Sequence, residues 1–258
     1  DPRLSCVRNS IVTYVDPASG LVKTAPDNVA RVEKGGLLVE ETSTNAITQT
    51  VDFTAGSWST VGSGIAITVN NSTAPDGTTT ANKINRDGTS SQAYLSSGIT
   101  TNTGTWTHSC FFKQGTHAIV QIAQSGESWS YANFDLSDGS LGNVGNASFV
   151  SSSIEEYATG WYRCTVKVIM NSGGAPKPSI ALVPSKTSTF IPTTTTNGYV
   201  YAWGLNSVNQ DRLTSYIPAS GSTVQRLRDQ IDVGIDNWWN DTEGTIVLEA
   251  DYSQTSNT

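Results

Sequence analysis

An all-β sandwich is the fold this sequence predicts, and three observations predict it. Charged residues make up only 14% of the 258, and Thr, Ser, Gly and Asn fill much of the remainder. The residues that long helices need are scarce, whereas Thr, Val, Ile, Tyr and Trp suit half-buried pleated surfaces. Short apolar segments also recur between turn signals, the pattern expected of a sandwich. A hydrophobic content of 36% supplies enough apolar material for a core.

Taken in order, the first 36 residues read as an irregular arm. Turn formers at Asp16-Pro17, Ser19-Gly20 and Pro26-Asp27-Asn28 interrupt short apolar pieces, Ile11-Val12-Thr13-Tyr14-Val15 and Leu21-Val22. The main body, residues 37–233, opens around Gly36-Leu37-Leu38-Val39-Glu40. Strands are expected at 65–70, 81–85, 92–95, 106–113, 118–123, 131–136, 148–154, 161–170, 179–183, 198–205 and 230–233. Asp/Gly turns fall at Ala74-Pro75-Asp76-Gly77 and Leu136-Ser137-Asp138-Gly139. The threonine-rich stretch 187–197 reads as an exposed loop. Residues 234–258 form a linker with Trp238-Trp239 and one further strand candidate at 244–252.

Two strands alternate clearly. In 161–170, Tyr162, Cys164, Val166, Val168 and Met170 share one face, and Trp161, Arg163, Thr165 and Lys167 the other. In 106–113, His108, Cys110 and Phe112 oppose Thr107, Ser109, Phe111 and Lys113. One face of each is then buried, and the other is wet or binds something.

A net charge of −7 argues against a nucleic-acid partner, which needs a basic footprint. No apolar run of about 18 residues is present to span a membrane. The opening Asp1-Pro2-Arg3 shows no charged and then apolar leader pattern. Cys6, Cys110 and Cys164 form no Cys-x-x-Cys pair, so a disulfide framework is not expected. Cys110 and Cys164 lie in apolar strand patterns as small buried hydrophobes, with a bridge between neighbouring strands left open.

No catalytic constellation emerges. His108 and His117 share no metal spacing, and Glu40-Glu41 and Glu155-Glu156 would point oppositely on a strand. His108 reads as a satisfied core histidine and His117 as a loop residue. Seven tryptophans and nine tyrosines in a low-charge β-protein suit sugar recognition, because pyranose faces stack on aromatic rings. Trp129 and Tyr131, in Gly126-Glu127-Ser128-Trp129-Ser130-Tyr131, sit in polar company that core packing explains poorly. If strands 106–113, 118–123, 131–136 and 161–170 share one concave sheet, Lys113, Gln121, Tyr131, Asp135, Trp161 and Arg163 face outward together. That set offers stacking surface with donors and acceptors for hydroxyls. The bland alternatives are a solvated face, or one covered by the arm.

Several segments in order resemble a carbohydrate-binding-module-like sandwich domain of phage tail, fibre and other virion-associated proteins. They are Thr13-Tyr14-Val15-Asp16 with Gly20-Leu21, then Gly36-Leu37-Leu38-Val39-Glu40 with Thr44-Asn45, then Ala74-Pro75-Asp76-Gly77-Thr78 with Ala81 and Lys83. Gly160-Trp161-Tyr162-Arg163-Cys164 follows, and last Trp203-Gly204 with Ser215-Tyr216-Ile217-Pro218, Gly221-Ser222 and Arg226. The resemblance covers residues 10 to 230. It departs from the pattern at Asn206 and Val208, where the family carries Gln and Glu, and at Ala219, where it carries Thr.

The resemblance implies a jelly roll of the concanavalin or galactose-binding type and attachment to host-surface polysaccharide. It also implies a virion or extracellular setting with other virion subunits as partners; modest affinity per site would call for a homo-oligomer, and the missing catalytic constellation points to no enzymatic activity. The segment after Trp238 would open a further lectin-like sandwich. A structural, assembly-only subunit is the rival reading, with a polysaccharide-degrading enzyme behind it. No cofactor is required on this reading. A structural Ca²⁺ would be unsurprising, with Glu40, Asp52 and Asp229 nearest the seam between the chain ends.

Overall fold

A computed structural model describes residues 4–89, 92–98, 103–125, 129–145, 148–171, 177–191 and 195–234, with 242, 243, 245 and 247 singly. Trp238, Trp239 and the strand expected at 244–252, apart from residues 245 and 247, lie outside the described residues. Six short strands come first: β1 (Leu4–Val7), β2 (Val12–Val15), β3 (Val22–Ala25), β4 (Arg31–Glu33), β5 (Gly36–Leu38) and β6 (Ser43–Asn45). Then follow β7 (Trp58–Val61), β8 (Ile65–Ser72), β9 (Ala81–Asp87), β10 (Tyr94–Ser97), β11 (Gly104–Gln114) and β12 (Ile119–Ser125). After them come β13 (Ser130–Asp135), β14 (Ser140–Gly145), β15 (Phe149–Tyr157), β16 (Trp161–Met170), β17 (Lys177–Leu182) and β18 (Asn197–Val208). β19 (Val224–Arg226) and β20 (Gln230–Val233) complete the series.

Strands β7 to β18 form two six-stranded antiparallel sheets packed as a jelly-roll sandwich. Sheet I runs β14-β13-β12-β17-β10-β7 and sheet II runs β15-β16-β11-β18-β9-β8. Between them lies a core of Leu95, Val120, Ile122, Phe134, Ile180 and Leu182 from sheet I. Sheet II supplies Ile84, Cys110, Phe112, Cys164, Val166, Val168 and Leu205. His108 is part of this interior, bonded to Ser207 at 2.8 Å and to Gln124 at 2.5 Å. Burial pushes its pKa down to about 4, so it stays neutral near pH 7.

The expected strands appear, but they are shared out differently. β11 and β16 belong to sheet II, whereas β12 and β13 belong to sheet I. The single concave sheet assumed for the ligand face is therefore two sheets, whose outer faces point in opposite directions. Period-2 patterning finds strands and faces. It does not say which neighbour a strand pairs with, because every partner here is antiparallel and apolar on one side.

Neither outer face is left bare. On sheet II, Phe111, Trp161 and Trp203 pack with Val22, Ala74, Ala81 and Tyr216 in a second cluster. Val22 comes from the arm and Tyr216 from the segment after β18, so the covered-face alternative is the one realised here. On sheet I, Ala123, Tyr131, Ala181 and Val183 pack with Ile191. The threonine-rich loop, expected to be exposed, is thus pinned at Phe190 and Ile191 by apolar side chains among its polar neighbours. Such doubly covered strands are buried on both sides, as β11 is over most of its length.

Residues 4–38 carry more regular pairing than their turn formers suggest. β2 pairs with β3 and β4 with β5, while β1 pairs with β20 in the register Leu4↔Val233 to Val7↔Gln230. A buried charge cluster ties these pieces to the sandwich. Arg8 and Arg31 each donate to Asp229 at 2.5 Å, and Arg31 and Arg226 both donate to Glu40. Glu40 and Asp229 also exchange backbone bonds, the Glu40 N–H to the Asp229 carboxylate at 2.8 Å and the Asp229 N–H to the Glu40 carbonyl at 2.9 Å. Ser215 donates its N–H and hydroxyl to Glu40, each at 2.7 Å.

Removing one member of such a pair leaves a buried charge unpaired, which costs about 3–5 kcal/mol. Asp229→Asn is expected to lower the urea unfolding free energy by about that much. Asp138→Asn, at the exposed Lys186–Asp138 pair, is expected to leave the midpoint unchanged.

Burial alone would raise the Glu40 pKa, but the Arg226 and Arg31 guanidiniums overcome it and hold the carboxyl at about 2. Both His108 and Glu40 have folded pKa values below their ordinary 6.5 and 4.5. The unfolded chain therefore binds protons first, and stability is present above those values and lost on acidification. A denaturation series should show stability falling first between about pH 6.5 and 4, then between about 4.5 and 2. His108→Gln should abolish the upper leg alone.

Candidate functional site

The outer face of sheet I carries the most exposed large aromatic among the described residues. Trp129 leads into β13 with φ of 48° and is 47% exposed. A left-handed backbone at a bulky residue is uncommon and sets the ring's direction. Phe190 braces it at 4.8 Å between ring centroids with an interplanar angle of 74°, and lies 6.2 Å from the Tyr131 ring. Beneath Tyr131, a Cβ on Gly145 would stand 2.4 Å from the phenol ring, so only glycine leaves the ring room.

Polar residues of sheet I hold this arrangement in place. Gln121 accepts from the Ile191 N–H at 2.8 Å and donates to the Thr189 carbonyl at 2.9 Å and to Asn133 at 2.7 Å. Asn133 donates to the carbonyls of Lys186 and Ser188. A buried amide pair thus fixes the loop that presents Phe190 to Trp129. The result is a ring available for stacking, on a base that does not need to rearrange to bind.

The predicted site residues divide accordingly. Tyr131, Gln121 and Asp135 belong to sheet I, with Trp129 just ahead of β13, and Lys113, Trp161 and Arg163 belong to sheet II. Trp129 is open and Tyr131 is its buried neighbour, while Gln121 is fully buried beneath the loop. Asp135 accepts from the Ser137 N–H and hydroxyl in the β13–β14 turn. Trp161 is fully buried, with its indole N–H on the Thr73 carbonyl at 3.2 Å, and anchors the arm-covered face. Arg163 donates to Ser109 and to the Thr214 carbonyl, and Lys113 is only partly exposed at the end of β11. Phe190 and Asn133 were missed from the sequence. A lone Phe in a threonine-rich tract was the available signal.

The Ca²⁺ ligand set does not hold. Glu40 and Asp229 do meet at the seam, but Arg8, Arg31 and Arg226 occupy their oxygens. Three guanidiniums around two carboxylates repel a further cation rather than attract one. Asp52 accepts instead from the N–H and hydroxyl of Thr54 in its own turn.

Cys110 and Cys164 stand directly opposite each other on β11 and β16, and both thiols are free. Burial pushes both thiols well above the ordinary range. A thiol-specific reagent should label neither in the native protein and both in denaturant.

No family model matches the chain, and no curated protein matches it. Among solved structures, it is similar to the crystallographic structure of the Clostridium thermocellum N-terminal endo-1,4-beta-D-xylanase 10B, CBM22-1 and GH10 modules, complexed with xylohexaose. The identity is 12% and the TM-score 0.39, over 69% of this chain and 30% of that one. The match spans less than a third of the xylanase chain. At that score the likeness carries no argument, and the sandwich class rests on the two sheets themselves.

Proposed function

We propose that this chain is a non-catalytic glycan-binding module whose platform is Trp129, braced by Phe190 and Tyr131. The exposed, pre-set indole carries the reading, since large aromatics placed outside a core serve recognition. On this reading the ligand is a host-surface polysaccharide, and the setting is a virion or another extracellular surface where the module promotes attachment. A single stacking site gives modest affinity, so repeated copies in a homo-oligomer supply the avidity.

Trp129→Ala is expected to weaken polysaccharide binding at least tenfold in titration, the effect of losing a central aromatic contact of about 1.4 kcal/mol or more. Its melting temperature should match wild type. Absence of binding by an oligomeric sample across a broad glycan panel would overturn the proposal.

A second reading, an assembly subunit, is favoured by one observation. Val32 and Leu37 are register partners in the β4–β5 hairpin, and with Val39 they are 53%, 39% and 52% exposed. As an interface these residues would be covered by another subunit. Light scattering tests it: Val32→Asp should dissociate an oligomer, and a wild type that stays monomeric at high concentration sinks the idea.

A further inference from the structure

A groove on the opposite side of the sandwich has a chemistry of its own. It lies between the arm and β15 and consists of two adjoining cavities of about 320 Å³ each. The two share Val15, Glu33, Glu155 and Tyr157, which therefore mark the waist of the groove. Tyr14, Leu38 and Arg163 line the inner cavity, and Asp16, Lys34 and Glu156 the outer one. The outer cavity is thus lined by four carboxylates and one ammonium.

Two of those carboxylates have unused capacity. Glu33 accepts one bond, from the Val15 N–H at 2.7 Å. Glu155 faces Arg163 across the β15–β16 ladder, where an ion pair would be natural. Arg163 turns away instead, donating to Ser109 and Thr214 and lying 5.2 Å over the Phe111 ring. Glu155 consequently has no hydrogen-bond or ion-pair partner among the described residues. Arg163 is itself 4% exposed, and its Nε is buried without a partner. Acceptors at the waist, the Arg163 guanidinium as donor and three tyrosine rings, Tyr14, Tyr157 and Tyr216, therefore line one continuous groove.

We infer that this groove binds an amino sugar. Its ammonium group sits between Glu33 and Glu155, and its pyranose face packs on Tyr157. Hydroxyls of the adjoining residue accept from the Arg163 guanidinium. Carboxylates beside aromatic rings recognise organic cations, while the hydroxyls of a sugar both donate and accept. The choice of a saccharide over a simple amine rests on the glycan-binding reading. The site itself is separate from the Trp129 platform.

Calorimetric titration of a glucosamine hexamer, an N-acetylglucosamine hexamer and cadaverine tests this with wild type, Trp129→Ala, Glu155→Gln and Glu33→Gln/Glu155→Gln. Gln keeps the shape and can still accept from the Val15 N–H, and the exposed Glu155→Gln alone guards against misfolding of the double variant. The glucosamine hexamer should bind wild type, and roughly tenfold more weakly the double variant. The single variant should fall between them. Affinity for the acetylated hexamer should be the same in wild type and the double variant.

An unchanged glucosamine affinity in both Gln variants would overturn the inference, and so would equal weakening of the acetylated hexamer. Cadaverine binding as tightly as the glucosamine hexamer would overturn the saccharide part. Loss of all binding in Trp129→Ala alone would sink the groove and leave the platform reading standing. Binding of the glucosamine hexamer alone, lost only in the Gln variants, would do the reverse.

Discussion

The arm and the closing segment depend on one buried cluster in which three guanidiniums share two carboxylates. Arg8 and Arg31 come from the arm, Glu40 from the entry to the body, and Arg226 and Asp229 from the closing segment. The excess positive charge is spread over carbonyls of Ser10, Pro26, Val29, Thr13 and Glu41. Such a cluster adds less net stability than apolar packing would, but it fails sharply when one member is removed. It specifies where the ends go. Without it, the arm is held over Phe111, Trp161 and Trp203 by the packing of Val22 and the Thr13–Tyr216 bond alone, and the groove beside β15 loses support for its wall.

This cluster also explains which parts of the sequence were informative. The segments on which the family resemblance was read include Glu40, Asn45, Trp203-Gly204, Ser215-Tyr216-Ile217 and Arg226, and these are seam and cover residues. Asn45 holds the Leu205 and Ile217 carbonyls and accepts from the N–H groups of Ile47 and Ser207. Tyr216 meets Thr50 at 2.6 Å and packs against Trp203 at 4.6 Å. Gly204, at φ of 67°, avoids both the Phe111 and Tyr216 rings. The motifs therefore report how the sandwich is closed. They say little about what it binds, as is general when a shared fold hosts different sites.

Most strands of the body were legible. β16 falls on the residues that alternation marks and β20 on its expected span, whereas β7 and β14, the two edge strands of sheet I, carry little apolar pattern and were not expected. Three things were not legible, each for a physical reason. Sheet membership depends on which antiparallel neighbour a strand finds, so Trp161 and Gln121 ended on different sheets. Outer aromatic residues such as Phe111 look exposed in a period-2 pattern until a second layer covers them. Glu40 and Asp229 look like oxygen ligands until distant arginines are brought within 3 Å. Trp129 was recognisable because its neighbours are polar on both sides.

The pairing of β1 with β20 has a mechanical consequence. Leu4 lies opposite Val233, so the chain enters and leaves this domain at the same pole. Tension applied through the flanking chain would peel the ladder one residue pair at a time, an unzipping geometry that yields at low force. The peel reaches Val7 and Gln230 and then meets Arg8 clamped on Asp229. A short extensible lead followed by a charged stop would let a pulled module lengthen slightly before its sandwich bears any load.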